Sequence, residues 1–183
     1  MTRLVIFDLD GTLLDTIDDL AASTNYALRR NGYPEHELAA YRYFVGNGVS
    51  RLLERVLPED TRTPANVERL RIKFMDYYGK HNTDSTEPYP GIPELLETLQ
   101  KLGVNVAVAS NKYQSAVDKL IYHYFGSIRW SDVEGQRDEV PVKPDPSIVF
   151  SILSKVPTPK DDVLYVGDSG VDMETCLLYT SDA

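Results

Sequence analysis

The sequence predicts an α/β protein built on a mostly parallel sheet. Three short apolar runs rich in branched residues, Leu4 to Phe7, Val104 to Ala109 and Val163 to Val166, do not alternate with polar residues. Such runs are typical of strands that are buried on both faces. Apolar residues at helical spacing fill the chain between them. Strands and helices therefore alternate, as they do in a parallel sheet that is covered by helices.

One helix of this core is marked by a stripe of apolar residues that ends at Gly103, a residue suited to stop a helix. The stripe consists of Ile92, Leu95, Leu96, Leu99 and Leu102. Their spacing of three and four residues places them on one helix face. We expect this helix to lead into the second strand.

A long helical segment separates the first two strands. Residues 15–87 contain several apolar stripes at helical spacing and no strand-like run, and Thr16 with Asp19 predicts the first N-cap pair. The segment exceeds an ordinary crossover connection. We therefore expect a discontinuous core domain, residues 1–14 and 88–175, with an all-helical domain, residues 15–87, inserted after the first strand.

The composition excludes several classes of protein. The net charge of -9 argues against a nucleic-acid partner or an anionic membrane surface, and no apolar run is long enough to span a membrane. The single cysteine, Cys176, excludes an internal disulfide, and the three histidines lack the spacing of zinc ligands. We expect a cytoplasmic protein whose chemistry comes from aspartates and hydroxyl groups. The oligomeric state stays open.

Polar residues follow each of the three predicted strands. Asp8 and Asp10 come after the first strand, Ser110 and Asn111 after the second, and Asp168 after the third. In parallel sheets, ligands bind beyond the carboxyl ends of the strands, so these side chains should converge. Carboxylates there suit Mg²⁺, which is often held by one or two of them together with a substrate phosphate.

Several ordered motifs resemble the haloacid dehalogenase superfamily, and within it the phosphoglycolate-phosphatase-like enzymes with a helical cap. They are DLDGTLLDT, VGNGVSRLLERVL, PYPGIPELLETLQKLG, SNK, VKPDP and GDSGVD, and they cover almost the whole chain to Thr175. The resemblance implies a Rossmann-like core. It also implies a Mg²⁺-dependent phosphoric monoester hydrolase that acts on a small molecule through an aspartyl-phosphate.

The resemblance assigns roles to individual residues. Asp8 is the nucleophile, Asp10 is the acid and base, and Asp172 orients Lys143 or metal-bound water. Asp8, Asp168 and the backbone carbonyl of Asp10 are the metal ligands. The phosphate-binding residues are Gly11, Thr12, Ser110, Asn111 and Lys143, and the cap residues that read the leaving group are Gly46, Asn47, Gly48 and Arg51. We interpret Lys112 as a surface or hinge charge.

Alternative functions share these motifs. A phosphomutase that resembles β-phosphoglucomutase would use Asp8, Asp10, Lys143 and Asp168 and return the phosphoryl group to a sugar. A dehalogenase has no use for an acid at Asp10 or for a metal. The same fold could also carry a non-catalytic domain that senses phosphate or binds another protein. The motif VGNG favours the phosphatase over the mutase.

The last residues have a different character. The segment CLLYTSDA, Cys176 to Ala183, reads like a translated transposase adapter from a sequencing library. We expect it to be a non-native tail on a truncated reading of a longer gene, and we leave it out of the predicted fold. Val163 to Val166 should then form an exposed edge of the sheet.

Overall fold

The computed structural model describes residues 1–180, which divide into two compact units. One unit combines Met1–Leu14 with the chain from Pro88 onward, and the other is Asp15–Glu87. Within residues 1–180, none of the helices has the length and apolar character that crossing a membrane requires.

A four-stranded parallel sheet forms the centre of the first unit, which confirms the predicted α/β class. Its strands are β1 (Leu4–Phe7), β4 (Asn105–Tyr113), β5 (Asp132–Gln136) and β6 (Val163–Val166), in the spatial order β5-β4-β1-β6. In β1, Leu4 pairs with Asn105 of β4 on one side and with Val163 of β6 on the other. The central position of β1 sets Asp8 between the two neighbouring strand ends.

Successive residues of β1 pack into two different apolar clusters, one on each face of the sheet. Val5 and Phe7 belong to a cluster that also contains buried residues of α4 (Ile92–Lys101) and α5 (Gln114–Phe125). Leu4 and Ile6 belong to the opposite cluster with α6 (Ser147–Lys155) and α7 (Gly170–Thr180). The branched, non-alternating sequence of β1 is thus explained by burial on both faces.

The second unit is helical. Its helices are α1 (Ile17–Arg30), α2 (Gly48–Val56) and α3 (Pro64–His81), with 3₁₀ turns at Leu38–Tyr43 and Glu59–Thr61. Helices α1 and α2 both pack against α3.

Where the chain passes from one unit to the other, β2 (Leu14–Asp15) and β3 (Glu87–Pro88) form a separate two-stranded sheet. The sequence pattern predicted neither of these two short strands.

The predicted capping pair at the start of α1 is wrong. Thr16 occupies the N-cap position, but its side chain makes no capping hydrogen bond. The buried carboxylate of Asp19 instead accepts hydrogen bonds from the Ser85 and Thr86 backbone amides and from the Thr86 hydroxyl. Asp19 therefore ties the first helix to the far end of its own unit.

The end of the described chain differs from the prediction in one respect. Cys176 to Thr180, which were predicted to lie outside the fold, continue helix α7, and Tyr179 is buried in the core. The predicted tail residues 181–183 lie outside the described residues. Strand β6 is an edge of the four-stranded sheet, and the Leu164 side chain on it is 51% exposed.

Candidate active site

The candidate site lies at the carboxyl ends of β1, β4 and β6. Asp8 directly follows β1, while Gly167 and Asp168 directly follow β6. Ser110 and Asn111 lie within β4, because that strand continues to Tyr113 instead of ending at Ala109 as predicted. The parallel, adjacent arrangement of these strands brings residues from distant parts of the sequence to the same edge.

Asp8 is a buried carboxylate with defined partners. Its Oδ1 accepts a hydrogen bond from the Leu9 backbone amide at 2.7 Å and lies 3.0 Å from Lys143 Nζ. The pKa of Asp8 is raised to about 6. Loss of hydration is the largest cause, the Lys143 ammonium opposes it, and the charges of Asp172 and Asp10 add to it. The fold thus holds a dehydrated carboxylate, a state that favours nucleophilic attack once it is ionised.

Lys143 is enclosed between two aspartates. Its Nζ lies 3.0 Å from Asp8 Oδ1 and donates to Asp172 Oδ1 at 2.7 Å. Burial alone would lower the pKa of Lys143, but the negative charges around it, Asp8 foremost, raise its pKa above the usual value. The group is therefore an ammonium at neutral pH.

The backbone of Lys143 is fixed by Asn111. The Lys143 amide donates to Asn111 Oδ1 at 2.8 Å, and Asn111 Nδ2 donates to the Lys143 carbonyl at 3.1 Å. This reciprocal pair spans β4 and the loop before α6. Asn111 thus positions the lysine, a contact that the sequence motif did not predict.

Asp172 lies fully buried beside Lys143. Besides that ammonium, it accepts hydrogen bonds from the Ser169 hydroxyl at 2.6 Å and from the Tyr165 hydroxyl at 3.2 Å. Burial would raise the pKa of Asp172, but Lys143 and the hydrogen bonds from Lys143 and Ser169 outweigh it and hold the pKa below its usual value. Asp172 therefore carries a negative charge that orients Lys143.

Three carboxylates form a compact cluster. One oxygen each from Asp8, Asp168 and Asp172 can be chosen so that all three lie within 4.8 Å of one another. Loss of hydration, together with the charges of Asp172 and Asp10, raises the pKa of Asp168. Asp172 is already bound by Lys143 and Ser169, so Asp8 and Asp168 are the pair best placed to share a cation. Hard oxygen donors of this kind fit Mg²⁺.

Gly11 makes room for one of these carboxylates. Its φ of 81° lies in the left-handed region, and a Cβ added there would overlap the Asp168 carboxylate. The positive φ and the close approach of Asp168 both require glycine at this position.

Thr12, the next residue, has a buried Oγ1 without a hydrogen-bond partner among residues 1–180. That hydroxyl is suited to donate to a bound phosphate.

Asp10 is paired with Lys112, and the interpretation of Lys112 as a surface or hinge charge is wrong. The Lys112 side chain is 4% exposed, and its Nζ lies 2.9 Å from Asp10 Oδ1. The Lys112 backbone amide also donates to Ser110 Oγ at 3.2 Å. A buried ammonium requires a compensating anion, and Asp10 supplies one.

The predicted specificity loop lies in the helical unit, before and at the start of α2. Gly46 and Gly48 both have positive φ, at 105° and 79°. The Asn47 side chain accepts a hydrogen bond from Arg55, which also donates to the Phe44 carbonyl. Arg51 lies on the exposed surface of α2 and pairs with Glu54. Arg55 therefore organises the loop.

Within each of the two units, the sequence pattern missed residues that hold the predicted site residues in place. They are Lys112, Arg55, Tyr165 and Ser169. A serine inside the GDSGVD motif could have been identified from its position next to Asp168. Lys112 depends on a partner that is distant in sequence. Tyr165 and Arg55 bind residues only 7 to 11 positions away, but nothing in the local pattern distinguishes them from ordinary strand and helix residues.

Comparison with known proteins agrees with the family that the sequence motifs resemble. The sequence model of the family described as haloacid dehalogenase-like hydrolase matches residues 5–178. A phosphoglycolate phosphatase from Pseudomonas syringae pv. tomato is 34% identical over 95% of this chain, which spans 65% of that relative's length. A phosphoglycolate phosphatase from Aquifex aeolicus is 32% identical over 94% of this chain and 78% of its own.

Solved structures share the architecture. A crystal structure from Lactobacillus delbrueckii subsp. bulgaricus, provisionally assigned as a phosphoglycolate phosphatase, superimposes with a TM-score of 0.89 at 31% identity, covering 96% of this chain and 82% of that one. The family match spans nearly all the described residues, including each strand end that contributes to the acidic cluster. The chain therefore belongs to the haloacid dehalogenase-like hydrolases.

Proposed function

We propose that this chain contains the active site of a Mg²⁺-dependent phosphatase that hydrolyses a small phosphate monoester through an aspartyl-phosphate on Asp8. The observation that carries the proposal is the buried Asp8 carboxylate, 3.0 Å from the Lys143 ammonium and within 4.8 Å of a carboxylate oxygen of Asp168. An anionic nucleophile needs positive charge nearby to approach an anionic phosphate. Lys143 supplies part of that charge.

In the first step, Asp8 attacks phosphorus. A bond forms between a carboxylate oxygen and phosphorus, the ester bond to the leaving oxygen breaks, and Asp10 gives a proton to that oxygen. In the second step, water attacks the phosphorus while Asp10 takes a proton from it, and the bond to Asp8 breaks to release phosphate. Lys143 stays paired with Asp172 and so remains oriented toward the nucleophile.

Asp8 and Asp168 would hold Mg²⁺, with the Asp10 carbonyl as a further ligand. When bound, the ion neutralises charge on the phosphate and aligns it with the nucleophile. The fit rests on the close approach of the carboxylate oxygens and on Gly11, which leaves space for Asp168.

The hydroxyl groups of Thr12 and Ser110 are the remaining candidates for phosphate contacts. The buried Thr12 hydroxyl has no other hydrogen-bond partner among the described residues. Ser110 Oγ accepts from the Lys112 amide, which leaves its own proton available to donate. Both would act on phosphoryl oxygens together with Lys143.

The substrate class follows from relatives and charge. Relatives named phosphoglycolate phosphatase make a small phosphorylated carboxylate the first substrate to test. The net charge of -9 disfavours nucleic acids as substrates. In this proposal, Asp15–Glu87 is the cap, and the loop at Gly46 to Gly48 with Arg51 reads the leaving group. A single cysteine suits the reducing cytoplasm.

The deciding experiment measures turnover of 2-phosphoglycolate and p-nitrophenyl phosphate with Mg²⁺ and after exhaustive chelation. Asp8→Asn should lose at least about 10³-fold in kcat, because an amide is a poor nucleophile. Asp161→Asn, an exposed aspartate of the same unit, serves as the matched control and should retain wild-type rates. Undiminished turnover by the Asp8 variant would exclude the covalent mechanism, and undiminished turnover without metal would exclude the magnesium requirement.

A further inference from the structure

Lys112 combines features that an ordinary lysine lacks. It lies inside strand β4 and its side chain is 4% exposed, whereas most lysines keep the ammonium in water. Its Nζ lies 2.9 Å from Asp10 Oδ1. Removing an ammonium from water costs several kcal/mol unless an anion compensates, and Asp10 is the anion in contact with this one.

The backbone around Lys112 is also constrained. Its amide donates to Ser110 Oγ, and its carbonyl oxygen lies 2.8 Å from the place where a Cβ on residue 135 would be. Only glycine at position 135 permits so close an approach of β5 to β4. Lys112 thus lies where β4 and β5 shift register, between the paired residues Ala109 and Tyr113, and its backbone is fixed by the Ser110 contact and the close approach of Gly135.

The two buried lysines serve different aspartates. Lys143 contacts Asp8 and Asp172, and Lys112 contacts Asp10. The Asp10 side chain is 29% exposed and follows the end of β1, so burial alone does not fix its orientation. The ion pair with Lys112 restricts the rotation of this carboxylate.

We propose that Lys112 is a positioning residue for Asp10: its ammonium holds the carboxylate where it can exchange a proton with the leaving oxygen of the substrate. This inference rests on the proposed phosphatase function and adds to it a residue that acts through Asp10. Misplacing an acid by about 1 Å can cost about 10²-fold in rate. The loss in rate should be largest for substrates whose leaving oxygen most needs a proton.

The test compares two leaving groups. An alkyl ester such as 2-phosphoglycolate releases a basic alkoxide that must be protonated, whereas p-nitrophenolate leaves with little help from an acid. Lys112→Met keeps the length and apolar stem of the side chain and removes the charge. It should lower kcat/KM for 2-phosphoglycolate by about 10²-fold and for p-nitrophenyl phosphate by less than about 10-fold. Because kcat/KM covers the reaction through departure of the leaving group, it isolates the first step.

Two controls separate positioning from a general structural defect. Lys101→Met changes a lysine whose side chain is 76% exposed and should leave both rates unchanged. In a double-mutant cycle, Lys112→Met should cost little when Asp10 is already Asn, because Lys112 acts through that carboxylate. If the Met variant does not fold, as judged by Trp130 fluorescence, the same comparison is made with Lys112→Gln.

The outcomes are distinct. Equal losses on both esters, or an additive double mutant, in an enzyme that remains active would overturn the role of Lys112 and leave the proposed function standing. If the wild-type chain hydrolyses neither ester with Mg²⁺, the proposed function fails and the role of Lys112 fails with it. Selective loss on the alkyl ester together with a non-additive cycle supports the inference.

Discussion

The burial of the Asp8 carboxylate, the proposed nucleophile, should reduce the stability of the metal-free chain, and Asp8→Asn should remove that cost. The pKa of Asp8 is raised from 3.8 to about 6, chiefly by loss of hydration. At 1.36 kcal/mol per pH unit, the ionised carboxylate is about 3 kcal/mol less favourable in the folded than in the unfolded chain. Asparagine is neutral and nearly isosteric, and its Oδ1 can still accept from the Leu9 amide.

The pH dependence has a definite sign. A raised folded-state pKa means that the folded chain binds more protons than the unfolded chain between about pH 4 and pH 6. The wild type and Asp8→Asn should therefore have the same free energy of unfolding near pH 4. As the pH rises to about 6, the wild type should become less stable than the variant, and above that pH it should stay about 3 kcal/mol less stable.

The measurement is urea unfolding in a chelator, followed by the fluorescence of Trp130. This is the only tryptophan in the sequence, and it packs against the core of the unit that contains Asp8. Addition of Mg²⁺ should then stabilise the wild type far more than the variant, because binding to the folded state alone adds stability. A metal-free Asp8→Asn chain less stable than wild type at pH 8 would refute the reasoning.

Three further predictions concern other contacts. Gly11→Ala should lower kcat by about 10²-fold while the chain stays folded, because the new Cβ displaces Asp168; circular dichroism and turnover measured together check this. Asp19→Ala should destabilise the helical unit by about 2–3 kcal/mol, since two backbone amides and a hydroxyl lose a buried charged acceptor, and hydrogen exchange in residues 17–81 should rise. Arg55→Ala should alter discrimination among phosphate esters more than Arg51→Ala does, because only Arg55 holds the loop before α2; equal effects would contradict this.

Strands buried on both faces were predictable from sequence. The bounds of β1 and β6 agree with the apolar runs. In β1 every residue is buried, as a strand covered on both faces requires, whereas β6 is an edge strand and exposes Leu164. Strand β4 was predicted too short, since Ser110, Asn111 and Lys112 resemble a loop until their partners are known. Strand β5 was missed altogether. Its sequence, DVEGQ, has no apolar run. Its buried Glu134 is stabilised by Arg137, just after the strand, and by Ser151 and Lys155 of α6.

The residues of the candidate site likewise divide into those that the sequence predicts and those that only the structure shows. Asp8, Asp168 and Asp172 were identified from motif order and do converge, because parallel strands fix where their ends lie. The neighbours that position them are not visible in a local pattern. Lys112 illustrates this, since its burial depends on a carboxylate that follows a different strand. A lysine is ordinarily a surface residue, and only the tertiary contact reverses that expectation.

The enclosure of Lys112 and Lys143 also bears on chemical modification. Acetylation and carbamylation require a reagent to reach an uncharged amine, yet both side chains are at most 4% exposed, and Lys143 in addition has a raised pKa. Lys80 and Lys101 lie on the surface, with side chains 67% and 76% exposed. Reactive acyl donors should therefore label the helix surfaces first, and the chain should tolerate extensive acylation before these two enclosed lysines are modified.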